Sequence, residues 1–177
     1  MTPSQRATLF ERAIGARIPD SAKQWLLDNG FLTAPASTRF HGAYEGGLAD
    51  HSLQVTRRLV KLTKQNCLKW CRPESPYIIG MLHDLCKIDQ YKKLKEPDGD
   101  KRYEYVETDV KGHGDKSVIY AQNIMDLTME ENMCIAYHMG AFTDKDKWAE
   151  YTAAVKACPN VLWTHMADML ASQVDGI

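Results

Sequence analysis

The sequence contains few cysteines, and their spacing argues against the common thiolate sites. The five cysteines are an odd number, no two form a Cys-x-x-Cys pair, and none has the Cys/His spacing of a zinc finger. A disulfide framework and a thiolate zinc site are therefore both disfavoured. A metal site in this chain is expected to use imidazole and carboxylate groups instead.

Long apolar runs and an excess of charge are also missing. No run approaches the roughly 20 apolar residues of a membrane-spanning helix, and residues 1–10 lack the apolar core of a signal peptide. We therefore expect a cytoplasmic protein with no membrane partner. The formal net charge is −1, so the protein lacks the positive electrostatic field that would hold long nucleic acid nonspecifically. Any recognition of phosphate must be local.

The composition and length are those of one globular domain. Apolar residues make up 44% of the chain and charged residues 25%, which is typical of a folded protein. There is no internal repeat, low-complexity segment or long linker. We predict a single domain over residues 1–177, with N-terminal helices within residues 1–34 packed on the rest.

The hydrophobic spacing is mostly helical. Gly30, Pro159 and a Thr128/Glu131 capping box supply helix boundaries. The pattern predicts helices over residues 4–14, 18–29, 48–66, 76–87, 115–126, 128–138, 146–157 and 160–173.

One segment between these helices has a different pattern. The turn sequence Pro97-Asp98-Gly99-Asp100 is followed by Tyr103, Tyr105 and Val106. Aromatic and β-branched residues beside an Asp-Gly turn are typical of a hairpin. The predicted fold class is therefore all-α, a helical bundle with one short β-hairpin insertion.

The placement of the histidines indicates a metal site. His83 ends a strongly apolar segment and is followed directly by Asp84, and a buried carboxylate beside an imidazole is costly unless a cation compensates it. Asp168 also lies in an apolar sequence, three residues after His165. A single histidine taken alone is more often a surface residue or a satisfied core residue than a metal ligand. The six are His41, His51, His83, His113, His138 and His165. Imidazole and carboxylate ligands without thiolate suit Mn, Fe, Co or Ni, and also Zn.

Five ordered segments resemble the HD-domain superfamily of metal-dependent phosphohydrolases, over about residues 35–175. The segment from Pro35 to His51 is similar to the N-terminal part of HD domains such as that of the YhaM-like 3′–5′ exoribonucleases. Leu82-His-Asp-Leu-Cys-Lys87 resembles their HD-x-G-K segment, with Cys86 where glycine is common. The match continues through residues 112–117, 137–140 and 165–169.

The resemblance implies a role for each matching residue. A first ion would be held by His51, His83, Asp84 and Asp168. His113 and His138 match the positions that hold a second ion in two-metal members, with Asp84 bridging; they could instead contact substrate phosphate. The implied cofactor is thus one or two divalent transition-metal ions, and the implied catalytic residues are Asp84, Lys87, His113 and His138.

Four residues are predicted to contact or orient substrate. Lys87 lies one helical turn beyond the His-Asp pair, and Lys116 lies near a helix start where free N–H groups favour anions. Either lysine could also be a solvated surface charge. His165 is expected to orient or hydrogen-bond, and His41 has either an outer-shell or substrate role or a structural one.

These residues support three functions. The first is hydrolysis of a phosphate ester of a small nucleotide through a metal-activated water. The second is a 3′–5′ nuclease or phosphodiesterase acting on short oligonucleotides. The third is a non-catalytic, metal-bearing nucleotide sensor. The expected partner is a small nucleotide rather than long nucleic acid, and the resemblance implies possible self-association.

Overall fold

The computed structural model describes residues 1–177 and is mostly helical. Helices account for 59% of the chain and strands for 7%, so the prediction of a helical protein with one small hairpin is confirmed. The helices are α1 (Pro3–Ile14), α2 (Asp20–Asp28), α3 (Gly47–Asn66), α4 (Ser75–Leu82), α5 (His113–Ile124), α6 (Met129–Ala136), α7 (Trp148–Ala157) and α8 (Asn160–Met169).

Two predicted helices end earlier than the hydrophobic pattern indicates. The helix expected over residues 76–87 stops at Leu82, and a 3-10 turn follows at Leu85–Ile88. Between them Asp84 leaves the helical conformation, with φ −105° and ψ 21°. The last helix becomes a π-helical turn at Leu170–Val174. Apolar spacing does not distinguish a 3-10 turn or a π-helical turn from an α-helix, so the prediction included both turns in the helices.

The hairpin forms where the Asp-Gly turn predicts it. Strands β1 (Tyr91–Asp98) and β2 (Lys101–Tyr105) are antiparallel, with Tyr91 opposite Tyr105. Gly99 has φ 57° in the turn, a conformation that glycine adopts without strain. Most of the hairpin is exposed, and it leaves the helical core directly after the 3-10 turn.

The core is organised around α3, which packs most extensively against α4 and also contacts α1 and α8. A continuous cluster of 26 buried apolar residues extends from Phe10 in α1 to Ala171 after α8. Arg6 of α1 reaches Asp50 of α3, with Nε 2.7 Å from Oδ1, and both side chains are buried. The N-terminal helix is therefore joined to the core by apolar packing and by a buried ion pair.

Two glycines allow close helix contacts that position functional residues. A Cβ atom at Gly80 of α4 would lie 2.6 Å from the Cα of Thr56 in α3. A Cβ at Gly114 of α5 would lie 2.0 Å from the Ala136 carbonyl oxygen of α6. Larger residues would force both pairs of helices apart. Each close contact lies within three residues of a histidine, His83 in the first case and His113 in the second.

None of the helices combines the length and apolarity needed to cross a membrane.

Candidate metal centre

Six side chains from separate parts of the fold meet at one buried point. His51 comes from the first turns of α3, His83 and Asp84 follow α4, and His113 begins α5. The remaining two are His138, just after α6, and Asp168, near the end of α8. These are the six residues that the sequence predicted as metal ligands. Their donor atoms form three overlapping groups, each within 4.8 Å.

Asp84 lies at the centre of this cluster, and its two oxygens face different neighbours. Its Oδ1 is 2.7 Å from His113 Nε2 and 3.5 Å from His138 Nε2. Its Oδ2 is 3.4 Å from both His51 Nε2 and His83 Nε2. A carboxylate in this position can hold one ion with each oxygen. The two sides of Asp84 therefore correspond to two candidate sites.

Three of the histidines are oriented by backbone carbonyls. Nδ1 of His51 is 2.8 Å from the Ile177 oxygen, Nδ1 of His83 is 3.0 Å from the Gly80 oxygen, and Nδ1 of His138 is 2.7 Å from the Ile135 oxygen. A carbonyl only accepts, so each Nδ1 carries the proton and donates it. In the neutral form of each ring the lone pair of Nε2 is then directed toward the centre, the arrangement that metal-ligating histidines use.

The buried Nε2 atoms of these histidines lack suitable hydrogen-bond partners within the protein. Nε2 of His138 is fully buried and has no hydrogen-bond partner, and an unpaired buried polar atom is costly. Nε2 of His51 and Nε2 of His83 are 3.3 Å apart, and Nε2 of His51 is 3.1 Å from Asp168 Oδ1. Two lone pairs directed at each other beside two carboxylates suit a shared cation. The donor set therefore fits a divalent metal.

The charge states also favour a cation. Burial opposes ionisation of Asp84, but the Lys87 charge and the surrounding imidazoles hold the pKa of Asp84 well below its usual range. Burial lowers the pKa values of His83 and His113. Burial opposes the charged form of His138, but the neighbouring Asp84 and Asp168 carboxylates and the Ile135 carbonyl together raise its pKa. At neutral pH Asp84 is therefore ionised and His83 and His113 are neutral, the forms that bind metal.

A cavity of about 350 Å³ opens onto the cluster. His51, Asp84, His113 and Asp168 line it, whereas His83 and His138 do not and are fully buried. Some donor groups therefore face solvent while the rest are closed off behind them. A catalytic metal site needs such an open side so that water or substrate can enter.

Lys87 and His41 also line this cavity. Lys87 Nζ is 2.7 Å from Asp84 Oδ2, and the residue is only 9% exposed, so it is not a solvated surface charge. The centre of the His41 ring is 5.4 Å from that of His51. Both side chains are therefore placed to contact a molecule in the cavity.

Lys116 and His165 do not line the cavity. Lys116 Nζ donates to Asp89 Oδ1 at 2.6 Å and to Thr108 Oγ1 at 2.8 Å, and the residue is buried. Nδ1 of His165 is 2.9 Å from the His138 carbonyl oxygen. The substrate contact predicted for these two residues therefore stays a prediction, whereas His165 does make a hydrogen bond, as expected for an orienting residue. Asp89 and the His138 carbonyl each lie 27 residues from their partners, so short-range spacing could not reveal these contacts.

Other residues at the site were not predicted. Phe40, Phe142 and Gln173 line the cavity, and the Cys86 sulfur is 3.4 Å from Nδ1 of His113. Phe40 lies within the segment that resembles HD domains, and Cys86 was noted there as a departure. The sequence offered no signal for Phe142 or Gln173. It also offered none for the Ile177 carbonyl that orients His51, because any residue type supplies a carbonyl.

No protein-family model, curated protein or solved structure matches this chain. The fold and the site together define a mostly helical protein with a buried His/Asp cluster that could bind metal.

Proposed function

We propose that this chain is a metal-dependent phosphohydrolase of the HD-domain type that hydrolyses a phosphate ester of a small nucleotide. The observation that carries the proposal is the cluster around Asp84. Its histidine Nε2 atoms converge there, and that of His138 is buried without a partner. The ordered segments that resemble HD domains contain the same residues.

The cluster divides into two ligand sets that share Asp84. His51, His83 and Asp84 form one compact group, with Asp168 beside His51. Asp84, His113 and His138 form another. We assign the first set to a primary ion and the second to an additional ion. Mn, Fe, Co, Ni and Zn all suit these donors.

The remaining residues explain how hydrolysis would proceed. A bound divalent ion lowers the pKa of water toward about 7 and so supplies hydroxide at neutral pH. In the reaction a water oxygen bonds to phosphorus, the ester P–O bond breaks, and the leaving alcohol takes a proton. Lys87 contributes a positive charge beside Asp84 that stabilises the phosphoryl oxygens. The cavity walls hold the ester in position, which lowers the entropic cost of reaction.

The test is product release from a panel of phosphate compounds. Metal-stripped protein would be supplied separately with Mn, Co, Ni, Zn or Mg. It would then be incubated with nucleoside mono- and triphosphates, cyclic nucleotides, dinucleotides and short oligonucleotides. Asp84→Ala is the inactive control. Asp20→Ala, which removes an exposed carboxylate that does not line the cavity, is the matched control.

The outcomes separate the three functions. Metal-dependent turnover of small nucleotides by the wild type and Asp20→Ala, but not by Asp84→Ala, supports the proposal. Stepwise trimming of oligonucleotides supports the nuclease instead. Tight metal and nucleotide binding without turnover on any compound supports a sensor. Failure to bind any of the metals would overturn all three.

A further inference from the structure

The cavity differs in chemistry between its floor and its mouth. At the floor, Asp84 and Lys87 are buried beside the histidines. At the mouth, Phe40 and Phe142 line the same cavity but are 67% and 65% exposed. One exposed phenylalanine needs no explanation. Two at the opening of one cavity with a charged floor indicate a ligand that is charged at one end and flat and apolar at the other.

The two phenylalanines belong to different parts of the chain. Phe40 lies in the loop between α2 and α3, and the Arg39 guanidinium lies 5.0 Å from the centre of its ring. Phe142 lies in the 3-10 turn Gly140–Phe142 after α6, with its ring centre 6.5 Å from that of His165. Each ring therefore has one side-chain neighbour and is otherwise open to a ligand at the mouth of the cavity.

The charge of the floor limits the number of phosphate groups. Lys87 is the only lysine or arginine that lines the cavity, and it already pairs with Asp84. A triphosphate carries more negative charge than a monophosphate, and Lys87 is the one basic side chain that could face its additional phosphate groups. The volume of about 350 Å³ also lies near the lower end of small-molecule sites, which span about 300–1,000 Å³. Both observations favour a ligand with one phosphate group.

We propose that Phe40 and Phe142 select nucleoside monophosphates by stacking on the base at the cavity mouth, while the single phosphate lies at the Asp84–Lys87 floor. The inference rests on the proposed phosphohydrolase function and specifies its substrate class. Stacking on an aromatic side chain contributes enough to binding to discriminate a nucleotide from a sugar phosphate.

The experiment compares adenosine 5′-monophosphate with ribose 5-phosphate, which has the same phosphate and sugar but no base. Protein loaded with Mn²⁺ would be assayed as wild type, Phe40→Ala, Phe142→Ala and the double variant. Phe40→Trp and Phe142→Trp retain a stacking surface. Met129→Ala is the matched control, because Met129 is 75% exposed but does not line the cavity.

We expect each alanine substitution to lower the ratio of kcat/KM for adenosine 5′-monophosphate over ribose 5-phosphate by about tenfold. The change should appear in KM rather than kcat, and the tryptophan variants and Met129→Ala should keep the wild-type ratio. Equal losses on both substrates would mean that the phenylalanines are structural, and no loss on either would mean that they do not contact the base. Both results overturn the proposal.

Binding measured by isothermal titration calorimetry on the same Mn²⁺-loaded proteins separates this inference from the proposed function. A wild-type preference for adenosine 5′-monophosphate that the double alanine variant loses supports base stacking even where no hydrolysis occurs. In that case only the phosphohydrolase proposal fails. Equal affinity of the wild type for both compounds overturns the stacking proposal, whatever the rate of hydrolysis.

Discussion

Asp84 is the residue on which the candidate site depends most. Its oxygens lie within 3.5 Å of four histidine nitrogens and of Lys87 Nζ. The ionised carboxylate is balanced by Lys87 and the imidazoles rather than by solvent. Because both candidate ligand sets use this side chain, its charge should control the binding of every ion.

Asp84→Asn should therefore prevent metal binding while preserving the shape of the side chain. We expect affinity for Mn²⁺ to fall by more than about a hundredfold, because loss of an outer-shell partner alone costs about ten- to a hundredfold. Metal content after dialysis would be measured by mass spectrometry, with Asp20→Asn as the control for a fully solvated carboxylate. Retention of wild-type metal content by Asp84→Asn would show that the metal does not depend on the Asp84 charge.

Lys87 is expected to affect rate more than metal binding. Lys87→Met keeps the approximate length of the side chain but removes the charge that we propose faces the phosphoryl group. We expect full metal content and a kcat lower by about a hundredfold, typical for loss of one electrostatic contact to a transition state. Lys92→Met, on the exposed hairpin, is the matched control. A Lys87 variant with the wild-type kcat would exclude a role for this charge in catalysis.

At the scale of elements, α3 holds the final segment of the chain over the site. His51, Gln54 and Arg58 lie on one face of α3. Arg58 and Gln54 bind the Asp175 carboxylate, with Arg58 Nε 2.7 Å from Oδ2. Two residues later, the Ile177 carbonyl accepts the hydrogen bond from His51 Nδ1. Nδ1 of His83 and Nδ1 of His138 bond to carbonyls three residues earlier in the chain, so of these three candidate ligands His51 is the one that depends on a contact between distant segments.

Arg58→Ala should weaken metal binding although Arg58 does not touch the cluster. Without the Asp175 contact the segment after Leu170 is less restrained, and His51 loses the partner that fixes its tautomer. We expect about a tenfold higher dissociation constant for Mn²⁺, measured by calorimetry. Arg57→Ala removes the same charge from the exposed side of α3 and should leave the constant unchanged. Equal effects of the two variants would indicate a general charge effect instead.

At the scale of the whole molecule, the Arg6–Asp50 pair connects the N-terminal helix to the core. Arg6 Nε and Nη2 lie 2.7 and 3.1 Å from the two Asp50 oxygens. Burial opposes ionisation of Asp50, but the hydrogen bonds and charge of Arg6 hold its pKa below the ordinary value. A carboxyl whose pKa is depressed by folding stabilises the protein only while it is ionised.

Asp50→Asn should lower the free energy of unfolding by about 3 kcal/mol at pH 7, because it leaves the Arg6 charge buried without its partner. The stabilisation is fully present above the unfolded-state pKa of about 3.9 and is lost as pH falls through the lower folded-state value. The difference between wild type and variant should therefore be constant from pH 5 to 7 and shrink below about pH 4.

Urea unfolding at several pH values would measure this difference. Asp20→Asn alters an exposed carboxylate and should change stability by less than about 0.5 kcal/mol. A difference for Asp50→Asn that stays the same down to pH 3 would show that ionisation of Asp50 does not stabilise the fold.

Cytoplasmic location and self-association remain predictions at this scale.

Much of the fold could be predicted from local sequence, because helices and tight turns depend on spacing that repeats within a few residues. The helix pattern, the Thr128–Glu131 capping box and the Asp-Gly hairpin all appear in the structure. His83, Asp84 and Asp168 were noticed because His and Asp in apolar sequence are costly without a partner, and the resemblance to HD domains implied the full set of six candidate metal ligands. The predicted helix ends were less accurate where a 3-10 turn begins at Leu85 and a π-helical turn begins at Leu170.

Only the tertiary structure could assign partners to these residues. Lys87 and Lys116 both looked like candidate phosphate contacts, yet the first pairs with Asp84 in the cavity and the second with Asp89 outside it. Phe142 and the Ile177 carbonyl reached the site without any local pattern. Contacts between distant segments depend on how helices approach each other, as at Gly80 and Gly114. How closely two helices approach depends on the shapes of the surfaces that pack together, and periodicity along the chain does not determine those shapes.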